Sequence, residues 1–240
     1  IPAHAEPAIG ILTDPEMSNT AIVTYWRSEA TPEELNNTPV RLMTDLVLDI
    51  VSNAMNERLE EIAAKPDAPF IMGGFGYGNL CETADVVMTQ VASKDGAALP
   101  AFAAGMLEAE KLRRFGLTDG EVERAKSEIL SQYETAAKQA DTRKNSEFVM
   151  PMISHFFDNQ AFMDPQMEYQ VVQAVLQQLS APVINQLALQ IITRENMVVI
   201  YQAPEEEGLT HPTAEQIKAI IDQVENAQLE QAAGEDIPAA

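Results

Sequence analysis

The chain has 240 residues, 46% of them hydrophobic and 22% charged, and a formal charge of −22. That length accommodates one substantial core, and no apolar run approaches the ~20 residues of a membrane-spanning helix. So acidic a balance disfavours nucleic acid and anionic membranes, which are bound through clustered Lys and Arg; a basic partner is easier to accommodate, and the plainer reading is a surface that keeps the chain soluble.

The chain opens on Ile1-Pro-Ala-His-Ala-Glu-Pro7, a Pro-flanked segment without the basic and apolar regions of a signal peptide. Residues 1–12 therefore read as a linker from a preceding domain, 13–226 as a single α+β domain, and 227–240 as a small, polar linker to a following one. Thr13-Asp-Pro-Glu16 is turn-forming, and Ile22-Val-Thr-Tyr-Trp26 alternates as a strand does. Thr31-Pro-Glu-Glu34 has the T-x-x-E form of a helix start, and apolar residues at helical spacing, among them Met43, Val47, Ile50, Val51, Ala54 and Ile62, predict a long helix over 39–64. Lys65-Pro-Asp-Ala-Pro69 ends it.

A Gly-rich hairpin follows, Phe70-Ile-Met-Gly-Gly-Phe-Gly-Tyr-Gly-Asn79, with 70–72 and 83–92 as its expected strands. Lone Cys81 forms no internal disulfide and reads as a small core hydrophobe. A helix is expected over 99–115, buried through Leu99, Phe102, Ala103 and Met106. Thr118-Asp-Gly-Glu121 is a capping box for another, carrying Val122, Ala125, Ile129 and Tyr133. Further helices extend to Ile192, with Pro165 and Pro182 in first turns and Ser180 as an N-cap. Met197-Val-Val-Ile-Tyr201 reads as a buried strand, and a last helix is expected over 212–226. The order of elements gives an α+β class, a mostly antiparallel sheet covered by several helices.

Little in the sequence carries chemistry. The histidines are His4, His155 and His211, none in H-E-x-x-H or H-x-x-E-H spacing, so each reads as a capping, packing or surface residue. No G-x-S-x-G elbow or recognisable Cys-His pairing occurs. The glycines 73, 74, 76 and 78 precede a strand instead of a helix and lack G-K-[ST], which argues for a bent or bulged hairpin over a phosphate loop. Phe75 and Tyr77 beside them are the candidate peptide-contact residues, with core packing as the alternative, and an exposed strand edge here would accept an extended peptide. Met150-Pro-Met-Ile153, with Phe148, Phe156, Phe157, Phe162 and Met163 nearby, reads as packed helix surface or as a domain or subunit contact.

From "TDPE" at Thr13, through the Gly-rich hairpin, "SKDG" at Ser93 and "RRFGLTDGEVERAKSEILSQYE" at Arg113, to "YQAPEEEG" at Tyr201, the chain resembles the pitrilysin/insulinase family of zinc metallopeptidases. The resemblance implies several homologous α+β domains in one polypeptide, forming two halves that enclose a peptide chamber, with zinc in the first domain. Because H-x-x-E-H is missing, the chain resembles the second, noncatalytic domain. The fourth domain fits less well, since its hairpin carries an Arg and a Tyr that assist catalysis, and here only Tyr77 is present. The resemblance thus implies no catalytic or metal residue and no cofactor in this segment, with zinc in the preceding domain of the parent. Implied partners are the other domains of the same polypeptide and a peptide substrate, and the implied compartment is extracytoplasmic. Within the same family, a scaffold or assembly subunit is the alternative, and a peptide-binding module is another.

Overall fold

The computed structural model describes residues 1–231; the remainder of the expected trailing linker lies outside them. Where the sequence reads as one domain, the chain divides into two compact units. One comprises Ile1–Ala30, Ser52–Gly116 and the described residues from Gln186 on; the other comprises Thr31–Val51 and Leu117–Asn185. Two helices, α1 (Pro39–Ala63) and α6 (Ala181–Ala188), run from one unit into the other.

The first unit holds a five-stranded sheet in the order β1-β5-β2-β4-β3, with β1 Ala8–Asp14, β2 Thr20–Glu29, β3 Met72–Cys81, β4 Ala84–Ser93 and β5 Met197–Pro204. All pairs are antiparallel except β1 with β5, so the sheet is mostly antiparallel, as the element order implies. Ile22, Thr24 and Trp26 of β2 stand opposite Val91, Thr89 and Val87 of β4 and Tyr201, Val199 and Met197 of β5. All nine are buried, and together they form the side of the sheet that meets the helices. The Thr24 hydroxyl donates to Met106 Sδ at 3.8 Å, which places α2 (Ala98–Phe115) on this side. Full burial of a side chain such as Ile22 or Phe102 contributes roughly 1.5–3 kcal/mol. Glycines allow the helices to approach: a Cβ on Gly105 of α2 would lie 2.8 Å from Val91 Cγ1 of β4, and one on Gly73 of β3 would lie 3.0 Å from Leu59 Cβ of α1. Helix α7 (Ala214–Glu225) begins at a Thr213–Gln216 capping box and buries Ile217, Ile221 and Val224.

The second unit is helical, built from the first half of α1, α3 (Asp119–Lys138), α4 (Ser146–Asp158), α5 (Pro165–Leu176) and the start of α6. The Thr118–Glu121 capping box forms as expected and starts α3, whose buried residues include Val122, Ala125 and Ile129. Helix α3 packs with α5, which begins at Asp164, with Pro165 in the first turn, and buries Val172 and Leu176. Asn185 holds the entry to α3: it accepts from Leu117 N at 2.8 Å and donates to Leu117 O at 2.9 Å.

Several expectations are corrected. Residues 8–12, assigned to a leading linker, belong to β1, which pairs with a strand 190 positions away. Thr31–Glu34 does not start a helix; a single 3-10 turn forms at Glu33–Leu35 without a side-chain cap. Thr38 starts α1 instead, accepting from Arg41 N at 3.3 Å. The glycines lie within β3 and not in a turn, so the hairpin strands are 72–81 and 84–93 and the reversal falls at Glu82-Thr83. Cys81 sits half-exposed beside that reversal, outside the helix-covered stretch and not in the core.

Candidate peptide-contact edge

Strand β3 has a hydrogen-bonded neighbour, β4, on one side only, which makes it the surface where the sequence expects a peptide. Phe75 and Tyr77 share one face of β3 because side chains alternate. In register they stand opposite Thr89 and Val87, on the helix-facing side. Phe75 is 6% exposed and its ring is a core group, whereas Tyr77 is half-buried. Gly74, Gly76 and Gly78 occupy the opposite face, where a Cβ on Gly74 or Gly78 would meet nothing. That face carries exposed Met72 on β3, Met88 on β4 and Leu12 on β1.

The free edge is occupied at its middle. From α1, Asn56 Oδ1 accepts from Phe75 N at 2.8 Å, and Asn56 Nδ2 donates to Phe75 O at 2.9 Å. One carboxamide thus meets both backbone groups of a single strand residue, as a neighbouring peptide unit would. Nothing in the sequence marks Asn56, a polar residue in mid-helix. The Thr89 hydroxyl donates to Gly74 O at 3.0 Å, and at the far end Asn79 Nδ2 donates to Cys81 O and Asp85 Oδ1, both at 3.0 Å. Cys81 Sγ lies 3.6 Å from Thr83 Oγ1, and this contact holds the thiol below its usual pKa.

The histidines are dispersed. His4 Nδ1 donates to Glu6 O at 2.7 Å, His155 Nδ1 donates to Gln160 O at 2.6 Å, and His211 Nδ1 shares a 2.9 Å hydrogen bond with the Tyr201 hydroxyl. Among the described residues no three His, Cys, Asp or Glu side chains group where they could hold a metal ion.

Charge is organised around two arginine clusters in the sheet unit. Buried Glu110 accepts from Arg113 Nε at 2.7 Å and Arg114 Nε at 2.6 Å. Arg194 reaches Glu6 at 3.1 Å and Asp222 at 2.9 Å, and also pairs with Glu225. Lys218 and Arg194 hydrogen-bond to Glu6 and hold its carboxyl below the usual value, and Glu110 raises the Arg113 guanidinium. A cleft of about 510 Å³ between these clusters is lined by Met106, Glu110, Arg113, Arg194, Met197 and Glu225. Its acids and bases face one another as ion pairs, an arrangement suited to fixing helices and not to proton transfer.

In the helical unit, α4 buries no residue. Its Val149, Met150, Met152 and Ile153 are exposed, Phe156 and Phe157 are 80% and 71% exposed, and the two rings meet edge to face at 5.0 Å. The expectation of packed helix surface does not hold for α4 among the described residues.

No protein-family model matches the sequence, and no curated protein does. Solved structures do match the fold. The periplasmic protease PqqL of Escherichia coli superposes with a TM-score of 0.85 at 17% identity, over 100% of this chain and 26% of that one. A predicted insulinase family protease from Yersinia pestis gives 0.73 at 12% identity, over 92% of this chain and 46% of that one. A peptidase M16 inactive domain from Pseudomonas fluorescens gives 0.60 at 12% identity, over 86% and 45%. The chain therefore spans about a quarter of the PqqL chain, and its fold is that of domains in M16/insulinase-family proteases.

Proposed function

We propose that this chain is a noncatalytic domain of a multidomain zinc metalloendopeptidase, the second domain of the half whose first domain bears zinc. The single observation that carries the reading is the superposition of the whole chain on a quarter of a protease chain, joined to a sequence without H-x-x-E-H. In this reading the preceding domain would hold a zinc ion that supplies metal-activated water for peptide hydrolysis, and the present domain packs against that domain and completes the peptide-enclosing chamber. The exposed apolar side of α4 supports a packing role, since an apolar surface on a soluble domain marks a contact. Tyr77 on β3 is the proposed peptide contact that retains exposure; Phe75 would act by supporting the strand from the core. An extracytoplasmic setting is proposed by analogy with the periplasmic PqqL.

The test is to express the polypeptide encoded by the complete reading frame and to assay hydrolysis of unstructured peptides with and without a chelator, beside the 240-residue chain alone. Chelator-sensitive cleavage by the long polypeptide and none by the short chain is expected. Cleavage by the short chain would overturn the noncatalytic assignment. A long polypeptide that folds but never cleaves would select the scaffold alternative.

A further inference from the structure

Helix α4 of the helical unit has one uncovered apolar side. Val149, Met150, Met152, Ile153, Phe156 and Phe157 share that side at helical spacing, with exposures from 41% to 80%. The opposite side carries Glu147, Pro151, Ser154 and Asp158. Together the apolar side chains leave on the order of 600 Å² open to solvent. That is the upper end of the ~300–600 Å² patch of a monomer and most of the ~800 Å² that each partner brings to a stable interface.

We infer that this side of α4 is a self-association surface, on which α4 of a second copy lies antiparallel across a two-fold axis. Charge selects a second copy over the basic partner that the overall −22 would otherwise favour. From Arg143 to Asp158 the cations are Arg143 and Lys144 and the carboxylates are Glu147 and Asp158. The segment is therefore locally neutral, and it neither repels its own copy nor calls for a cationic one. The cations precede the helix. Its last residue is Asp158, whose carbonyl accepts from Asn36 Nδ2 at 2.8 Å, and Asn159 Nδ2 donates to Glu33 O at 3.4 Å. An antiparallel crossing thus sets the basic end of one helix against the acidic end of the other, with the two helix dipoles opposed. The helix is ~20 Å long, and its midpoint at Met152 falls on the axis of such an isologous contact. Phe156 and Phe157, already edge to face at 5.0 Å, are the aromatic anchors. Neither the area nor the charges depend on the protease reading, so the two can fail separately.

The test is sedimentation velocity of the 240-residue chain beside F156E, with circular dichroism to confirm folding. The wild type is expected to be dimeric at about 100 μM and to dissociate on dilution toward about 1 μM. F156E is expected to fold, because Phe156 is 80% exposed, and to raise the dissociation constant at least about tenfold. Orientation is read by disulfide trapping in a C81S background, which removes the one native cysteine. M152C is expected to cross-link to its own copy under mild oxidant, and V149C, displaced from the axis, is not. A wild type that stays monomeric at about 100 μM, a dimer that F156E leaves intact, or self-linking by V149C and not by M152C would each overturn the inference. Should F156E not fold, F157S takes its place: loss of the dimer supports the surface, and a dimer unaffected by it overturns the inference.

Discussion

Helix α2 of the sheet unit and helix α4 of the helical unit are both rich in apolar residues, yet they meet opposite environments. α2 buries Ala98, Ala101, Phe102, Met106, Ala109 and Leu112, its small residues letting it lie close to the sheet. α4 presents Val149, Met150, Phe156 and Phe157 outward and buries nothing. Apolar content alone therefore does not specify burial. Side chains must also match a facing surface, as Gly105 matches Val91.

Breaking the buried side should have the largest effect. Phe102 is 2% exposed, so Phe102→Ala is expected to cost about 3–5 kcal/mol, measured by urea unfolding; a loss below about 1 kcal/mol would mean that the sheet unit's core is not anchored by α2. Next comes Asn185→Ala, which leaves both Leu117 backbone groups without the partners they have at 2.8 and 2.9 Å. It is expected to cost about 1–3 kcal/mol, with hydrogen exchange accelerated at the start of α3 before elsewhere.

The two units respond to pH with opposite signs. Burial raises the Glu168 carboxyl in α5 above 4.5, with Arg143 opposing. Burial, then the charges of Glu168, Asp49 and Asp45, push the Tyr133 phenol in α3 from 10 up to about 12. Both values are raised in the folded state, so each contribution is fully present below the unfolded value and lost as pH rises through the folded one. The helical unit should therefore weaken from about pH 4.5 upward as Glu168 ionises, and again between pH 10 and 12. Glu168→Gln is expected to match wild type below pH 4.5 and to exceed its thermal midpoint at neutral pH. Equal midpoints at both would contradict the burial argument. The Glu6 cluster of the sheet unit has the opposite sign: its carboxyl is lowered from 4.5, and its pairing is released as pH falls. The smallest effect is expected at α4, where Phe157 is 71% exposed; Phe157→Ser should change the stability of the isolated chain by no more than about 0.5 kcal/mol.

Local chemistry made much of the fold legible. Alternation located β2, a short apolar run located β5, the Thr118–Glu121 capping box started α3, and Pro39 to Ala63 forms a helix within one residue of the expected span. What remained hidden is long-range. β1 is short and becomes a strand only by parallel pairing with β5. The glycines of β3 read as punctuation because their tolerance depends on an open face that composition does not disclose. Asn56 and Arg194 gain meaning from partners 19 and 188 positions away, and no local pattern announces them. The candidate contact residues were legible as a pair, but their exposure was not, because strand phase sends Phe75 into the core and leaves Tyr77 at its margin.

The most direct test of the noncatalytic assignment is metal content and peptide cleavage measured together on the purified 240-residue chain, with zinc added and then removed by chelator. No stoichiometric zinc after dialysis and no chelator-sensitive hydrolysis are expected. One tightly held zinc per chain, accompanied by cleavage that disappears with EDTA, would contradict the assignment.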